Sequence, residues 1–161
     1  MMFNSNSINS SNNLTTLLDL VGKYQGIKYN VVKEIGRGTY GNVYECLDTS
    51  TNQHVAIKAV EHKYANNELK AFNRLRNVDG KISNLIELLR CFTNDTLAIL
   101  VYPIYGPNLR EAIAFNKQPF NLQEVRVMAK QLIKATNFLH KNGMIHSDIK
   151  PDNILLNRLV N

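Results

Sequence analysis

The chain has 161 residues, enough for one compact domain, and its 44% hydrophobic and 20% charged residues exclude wholesale disorder. Its apolar runs fall far short of the roughly 20 residues that cross a bilayer. Nineteen Lys and Arg stand against 13 Asp and Glu, a net charge of +6, but they are scattered without a run of four. A nucleic-acid groove would need them clustered, so the surface suits smaller anionic partners such as nucleotides or acidic peptides.

Residues 1–13 hold five Asn and four Ser and read as a disordered tail, with no basic patch and apolar stretch of a secretory signal. Leu14, Leu17, Leu18 and Val21 have helical spacing, which predicts a short helix packed on the outside of the domain; residues 1–26 are set apart on this basis. Tyr29–Ile35 is strand-prone, a glycine-rich turn follows, and Val43–Leu47 and Val55–Val60 are joined by the polar turn Asp48–Gln53. That pattern predicts a three-stranded antiparallel meander. Between Asn66 and Arg76 the period changes to a helix, with Leu69, Phe72 and Leu75 on one face and Glu68 on its first turn. Leu85–Phe92 and Thr96–Ile104 read as two further strands. Pro103, Gly106 and Pro107 then break the chain. Asn121 is a good N-cap with Glu124 at the capping-box position, Val125, Met128, Leu132, Ala135 and Leu139 keep helical spacing, and Asn142-Gly143 ends the helix. A polar loop, Met144–Asn153, leads to the strand-like Ile154–Leu156. Cys46 and Cys91 sit in apolar stretches; two cysteines exclude a disulfide framework or a cysteine-rich zinc site, and they read as reduced thiols of an intracellular protein, cytoplasmic or nuclear.

Three motifs carry chemistry. Gly36-Arg37-Gly38-Thr39-Tyr40-Gly41-Asn42-Val43 lets backbone N–H groups approach phosphate oxygens. A dinucleotide fold would need it between a strand and a helix with an acid about 20 residues on, and a Walker loop would need Lys-Ser/Thr after Gly41. Strands flank it instead, Lys58 stands 20 residues after Gly38, and Asn42-Val43 follows Gly41. A glycine-rich hairpin over a nucleotide fits; an ordinary hairpin turn is the alternative. In Val55-Ala56-Ile57-Lys58 a lysine inside an apolar strand either snorkels to solvent or meets phosphates and a carboxylate. Glu68, the one acid between Glu61 and Asp79, is the candidate partner. His146-Ser147-Asp148-Ile149-Lys150-Pro151-Asp152-Asn153 is the most specific string. Asp148 can take or orient a hydroxyl proton, Lys150 can neutralise a moving phosphoryl group, and Asn153 can offer a neutral oxygen to Mg²⁺. A polar loop after a helix stop is the alternative.

These three motifs, in this order and with Lys58 and Asp148 separated by 90 residues, resemble the eukaryotic protein kinase family from Tyr29 to the C-terminus. The resemblance implies an α+β protein-kinase-like fold: a five-stranded antiparallel upper lobe with one helix (27–102), a hinge (103–107), and the first helices of a helical lower lobe (108–161). By it, Ile35, Gly36, Arg37, Gly38, Thr39, Tyr40, Gly41, Asn42 and Val43 cover ATP. Val43 and Ala56 sandwich the adenine, and Lys58, paired with Glu68, holds the α/β-phosphates. Tyr102 is implied as gatekeeper beside its reading as a plain core-strand residue. The Pro103 carbonyl and the Tyr105 N–H would meet the adenine edge. Asp148 is implied as catalytic base with Lys150 beside it, and Asn153 as a Mg²⁺ ligand. Lys150 resembles the serine/threonine branch, and the string Ile145–Leu155 is similar to the dual-specificity Tyr-regulated and LAMMER-type kinases.

Two departures stand out. Ser147 replaces the arginine that pairs with a phosphorylated activation loop in most of the family. No Asp-Phe-Gly or Ala-Pro-Glu follows Asn153, so the main Mg²⁺ ligand of the resemblance is absent and an incomplete lower lobe is expected, with the apolar face of the 122–140 helix partly exposed. The sequence therefore supports an ATP- and Mg²⁺-dependent kinase acting on Ser/Thr of a protein, with no nucleic-acid or membrane partner. The alternative is a catalytically inactive remnant that binds nucleotide or a protein. A small-molecule kinase fits the Lys-Pro-Asp-Asn string less well.

Overall fold

The computed structural model describes residues 18–19, 26–38, 41–76, 78, 84–93, 97–116 and 118–157. The tail at 1–13 lies outside them, as does all of the apolar segment 14–21 except Leu18 and Asp19, which are helical. The chain divides into two compact units, with boundaries at Asn66/Asn67, Glu87/Leu88 and Pro103/Ile104. No helix among the described residues is long and apolar enough to cross a membrane.

The first unit is a five-stranded antiparallel sheet in the order β1-β2-β3-β5-β4. Its strands are β1 (Tyr29–Gly38), β2 (Gly41–Asp48), β3 (Gln53–Glu61), β4 (Arg90–Thr93) and β5 (Leu97–Pro103). Strand alternation sends Tyr44, Cys46, Val55, Ile57, Ile99 and Val101 to one face, where they form the core with Tyr29 and Leu18. Ile57, Ile99 and Val101 are fully buried, each contributing roughly 1.5–3 kcal/mol. Leu18, one of the apolar residues expected to pack a short helix onto the domain, is 5% exposed. Burial pushes the Cys46 thiol up to about 12, which makes it inert. Bulges fall between Val31 and Lys33 and between Glu34 and Gly36, bending β1, an edge strand, as it enters its turn.

Two expectations are corrected here. The strand expected at Leu85–Phe92 begins only at Arg90; residues 84–89 are irregular, although the Leu89 N–H donates to the Val101 carbonyl at 2.8 Å. The helix expected at Asn66–Arg76, α1, runs His62–Arg76. It follows Glu61 of β3 without an intervening loop, so Glu68 lies on its second turn rather than its first. Its first turn carries no acid, which is why its start was invisible to capping rules.

In the second unit, α2 (Leu109–Phe115) and α3 (Leu122–Lys141) each begin with a complete capping box, Asn108 with Glu111 and Asn121 with Glu124. The α3 stop is local. The Asn142 side chain donates to the Phe138 carbonyl at 2.8 Å, and Gly143 takes φ +66°. On the apolar face of α3, Ala135 and Leu139 are buried, Met128 and Leu132 are half-buried and Val125 is exposed, so that face is partly exposed; Leu122, Val127 and Ile133, also exposed, lie off it. Ile154–Leu156 pairs with the segment before α2. The Leu109 N–H donates to the Ile154 carbonyl at 2.8 Å and the Leu156 N–H to the Pro107 carbonyl at 3.0 Å.

Candidate functional site

The sheet register gathers the motif residues of the first unit. Gly36 pairs with Val43, Val43 with Lys58, and Lys58 with Leu100, one row across β1, β2, β3 and β5. The next row on the same side runs Glu45, Ala56, Tyr102. Directly paired residues share a face and residues two apart along a strand return to it. Gly36, Val43, Ala56, Lys58 and Tyr102 therefore occupy neighbouring places on the face opposite the core cluster. Lys58 and Ala56 are half-buried and Tyr102 is 7% exposed.

The turn itself is a tight hairpin with Gly38 opposite Gly41 and Arg37 opposite Asn42; Thr39 and Tyr40 lie outside the described residues. Arg37 donates from Nε and Nη2 to the two Glu34 carboxylate oxygens at 3.1 and 3.3 Å. Ile35 falls in the bulge before Gly36 and is 40% exposed. Gly41 has φ +155°, and a Cβ there would lie 2.1 Å from the Ala59 carbonyl oxygen. Glycine at 41 is thus demanded by the β2–β3 pairing itself. Glu68 is half-buried on α1. Pro103 ends β5 opposite Val55, where a missing N–H costs nothing if only its carbonyl is needed. Tyr105 is half-buried; burial pushes its phenol up, against the effect of a backbone hydrogen bond from Glu87.

The second unit holds a separate polar cluster. After the α3 stop, Ser147 takes φ +64°, a left-handed conformation that reverses the loop. The Asp148 N–H then donates to His146 Nδ1 at 3.3 Å. Lys150 Nζ lies 2.9 Å from Asp148 Oδ2. Asn153, on the 3₁₀ turn Pro151–Asn153, donates from Nδ2 to both the Asp148 carbonyl and Oδ2 at 2.8 Å. The hydrogen bonds from Lys150 and Asn153 hold the Asp148 carboxyl below its ordinary value, and Asp148 in turn raises Lys150. Beside them Arg110 Nε donates to Asp152 Oδ1 at 2.7 Å, joining α2 to the turn. Asp148, Lys150 and Asn153 are thus brought into one hydrogen-bonded constellation. Asn153 turns its amide nitrogen to Asp148, which leaves its carbonyl oxygen as the acceptor end suited to a hard cation. Among the described residues no group of three or more His, Cys, Asp or Glu forms a metal cage.

Residues 29–160 match the protein kinase domain. The chain belongs to the protein kinase family. It is similar to the probable serine/threonine-protein kinase clkA of Dictyostelium discoideum, 37% identical over 84% of this chain and 16% of that protein. The human dual specificity tyrosine-phosphorylation-regulated kinase 3 is 36% identical over 80% of this chain and 23% of its own length. Human dual specificity protein kinase CLK1 is 32% identical over 83% and 29%. The chain thus spans less than a third of each of these relatives. A crystal structure of a kinase domain shares the fold with TM-score 0.70 and 28% identity, over 81% of this chain and 40% of that one. These kinases bear out the resemblance to the Tyr-regulated and LAMMER-type group and the kinase-like α+β fold.

One polar network escaped the sequence reading. Asp48, 1% exposed, accepts from Arg90, which also donates to the Tyr29 hydroxyl at 2.8 Å. Burial alone would raise its carboxyl, but the hydrogen bonds from Ser50 and Arg90 outweigh it and hold Asp48 below the ordinary value. Asp48 reads as a turn residue in sequence, and nothing local points to an arginine in a later strand.

Proposed function

We propose that this chain carries the ATP-binding and phosphoryl-transfer residues of a protein kinase acting on serine or threonine hydroxyls. The observation that carries the reading is the Asp148 constellation, with Lys150 at 2.9 Å and Asn153 at 2.8 Å from the same carboxylate oxygen. A carboxylate oriented in this way can align a substrate hydroxyl and receive its proton. Its lowered pKa suits alignment first and proton capture late, once the oxygen–phosphorus bond is forming. Lys150 then offers positive charge to the equatorial oxygens of the transferring group.

The nucleotide belongs on the row of Gly36, Val43 and Lys58. Ile35 to Val43, including Arg37, Gly38, Thr39, Tyr40, Gly41 and Asn42, covers the triphosphate, and Val43 and Ala56 enclose the adenine. Lys58, with Glu68 as carboxylate partner, holds the phosphates. Tyr102 limits the depth of the site, and Pro103 and Tyr105 offer a backbone acceptor and donor to the adenine edge. Lobes at 27–102 and 108–161, joined by a hinge at 103–107, carry the two sets of residues. Mg²⁺, when bound with ATP, would neutralise phosphate charge, and on this chain Asn153 would offer it one neutral oxygen.

Thermal melting of the 161-residue chain with and without ATP and Mg²⁺ tests the reading. ATP at about 100 times its Kd stabilises by about 2.7 kcal/mol, a shift of roughly 5–10 °C for a chain of this size. Lys58→Met removes that shift. Asp148→Asn keeps it and loses about 10²–10⁴-fold in phosphate transfer to a basic Ser/Thr peptide. Absence of any shift in the parent chain refutes the nucleotide site. A shift without transfer favours a nucleotide-binding remnant instead.

A further inference from the structure

The longest helix, α3, presents a face that phosphoryl transfer does not use. Its twenty residues carry four Lys and Arg but one acid, Glu124. Glu124 is held at the N-terminus, where its carboxylate accepts the Asn121 N–H at 2.7 Å. At 3.6 residues per turn, Arg126, Lys130, Lys134 and Lys141 fall within an arc of about 80°. That arc lies opposite the buried Ala135 and Leu139, and all four cations are exposed. Leu122 and Ile133, 66% and 69% exposed, flank it on one side, and exposed Val127 flanks it on the other. Past Val127 lies an open apolar hollow of about 310 Å³, lined by Phe120, Gln123, Glu124, Val127 and Met128.

We propose that this face docks an acidic amphipathic peptide segment of a partner protein. Carboxylates of the segment pair with the Arg126–Lys130–Lys134 ridge, and one apolar side chain enters the hollow beside Val127. Charge complementarity selects the partner, since the ridge has no acid of its own to answer. The arrangement disfavours a lipid surface. There a continuous apolar face is immersed with cations at its margins, whereas here the cations occupy the centre and the apolar residues its two flanks. Single-stranded nucleic acid is disfavoured too, because no exposed residue of α3 is a Phe, Tyr or Trp on which a base could stack.

The test uses the 161-residue chain and a short fluorescent peptide rich in Glu with a single Phe, read by anisotropy. Saturable binding that weakens with salt is expected. The exposed double variant Lys130→Glu/Lys134→Glu weakens it roughly tenfold or more. Lys70→Glu/Arg76→Glu on α1 changes net charge equally and leaves it within about twofold. Val127→Ser, which adds no charge, weakens the Phe peptide but not a Gly-substituted version. Helicity by circular dichroism shows that each variant is folded. The proposal is overturned if no saturable binding occurs, if both double variants behave alike, or if Val127→Ser affects both peptides equally. Tighter binding to phosphatidylserine vesicles or to a single-stranded oligonucleotide than to the peptide overturns it as well.

Discussion

Two glycines of the same hairpin answer very differently to one added methyl group. At Gly41, φ is +155°, and an added Cβ lies 2.1 Å from the Ala59 carbonyl oxygen and 2.8 Å from Val60 Cγ1. The oxygen is backbone of β3, the strand that pairs with β2 along its whole length, so it cannot yield without opening that ladder. Backbone strain of about 1–3 kcal/mol and overpacking of similar size combine to a cost of roughly 2–6 kcal/mol. That is a large part of the total stability of a domain. At Gly36 the added Cβ meets Val43 at 3.6 Å, an ordinary contact, so Gly36→Ala costs within about 0.5 kcal/mol. Gly36 nevertheless belongs to the row with Val43 and Lys58, where a side chain would compete with phosphate oxygens. Scanning fluorimetry with and without ATP and Mg²⁺ separates the effects. Gly41→Ala melts roughly 5–20 °C lower in the absence of nucleotide. Gly36→Ala melts with the parent but gains less from ATP. Gly41→Ala melting within about 1 °C of the parent would refute the steric reasoning, and equal ATP shifts for Gly36→Ala and parent would refute the placement of phosphate over Gly36.

The buried Asp48 predicts an acid-labile contribution. Its folded pKa lies below the ordinary carboxylate value, so its stabilisation is complete at neutral pH and is lost as pH falls from about 4 through that lowered pKa. Asp48→Asn should cost about 1.5–3 kcal/mol at pH 7 and flatten stability against pH below about 4. Parallel denaturation profiles for parent and variant from pH 7 to about pH 2 would contradict this. Asn121→Ala removes the α3 cap and should cost about 1 kcal/mol, a loss of roughly 2–4 °C in melting temperature. An unchanged melting temperature would mean that the cap observed at Glu124 N–H, 3.0 Å, contributes nothing.

Sequence periodicity and short-range chemistry reached far into this molecule. The N-cap at Asn121, its Glu124 partner and the Gly143 stop were legible because each acts within one turn of chain. The Asn108–Glu111 box has the same spacing and was equally readable, but α2 was missed as a separate element. The start of α1 was not readable, since β3 runs straight into it without a capping residue. Residues 84–89 looked like strand because apolar content alone does not reveal whether a pairing partner exists.

The alternation of β3, the continuous apolar run of β5 and the eight-residue string around Asp148 are properties of the chain alone, because neighbours in sequence impose them. Which residues become neighbours across strands was decided only by tertiary pairing. Register put Gly36, Val43 and Lys58 in one row, and brought Arg90 to Asp48 across 42 residues of sequence. Such contacts depend on long-range closure of the sheet, whose energy is shared among many residues and so leaves no mark on any single one.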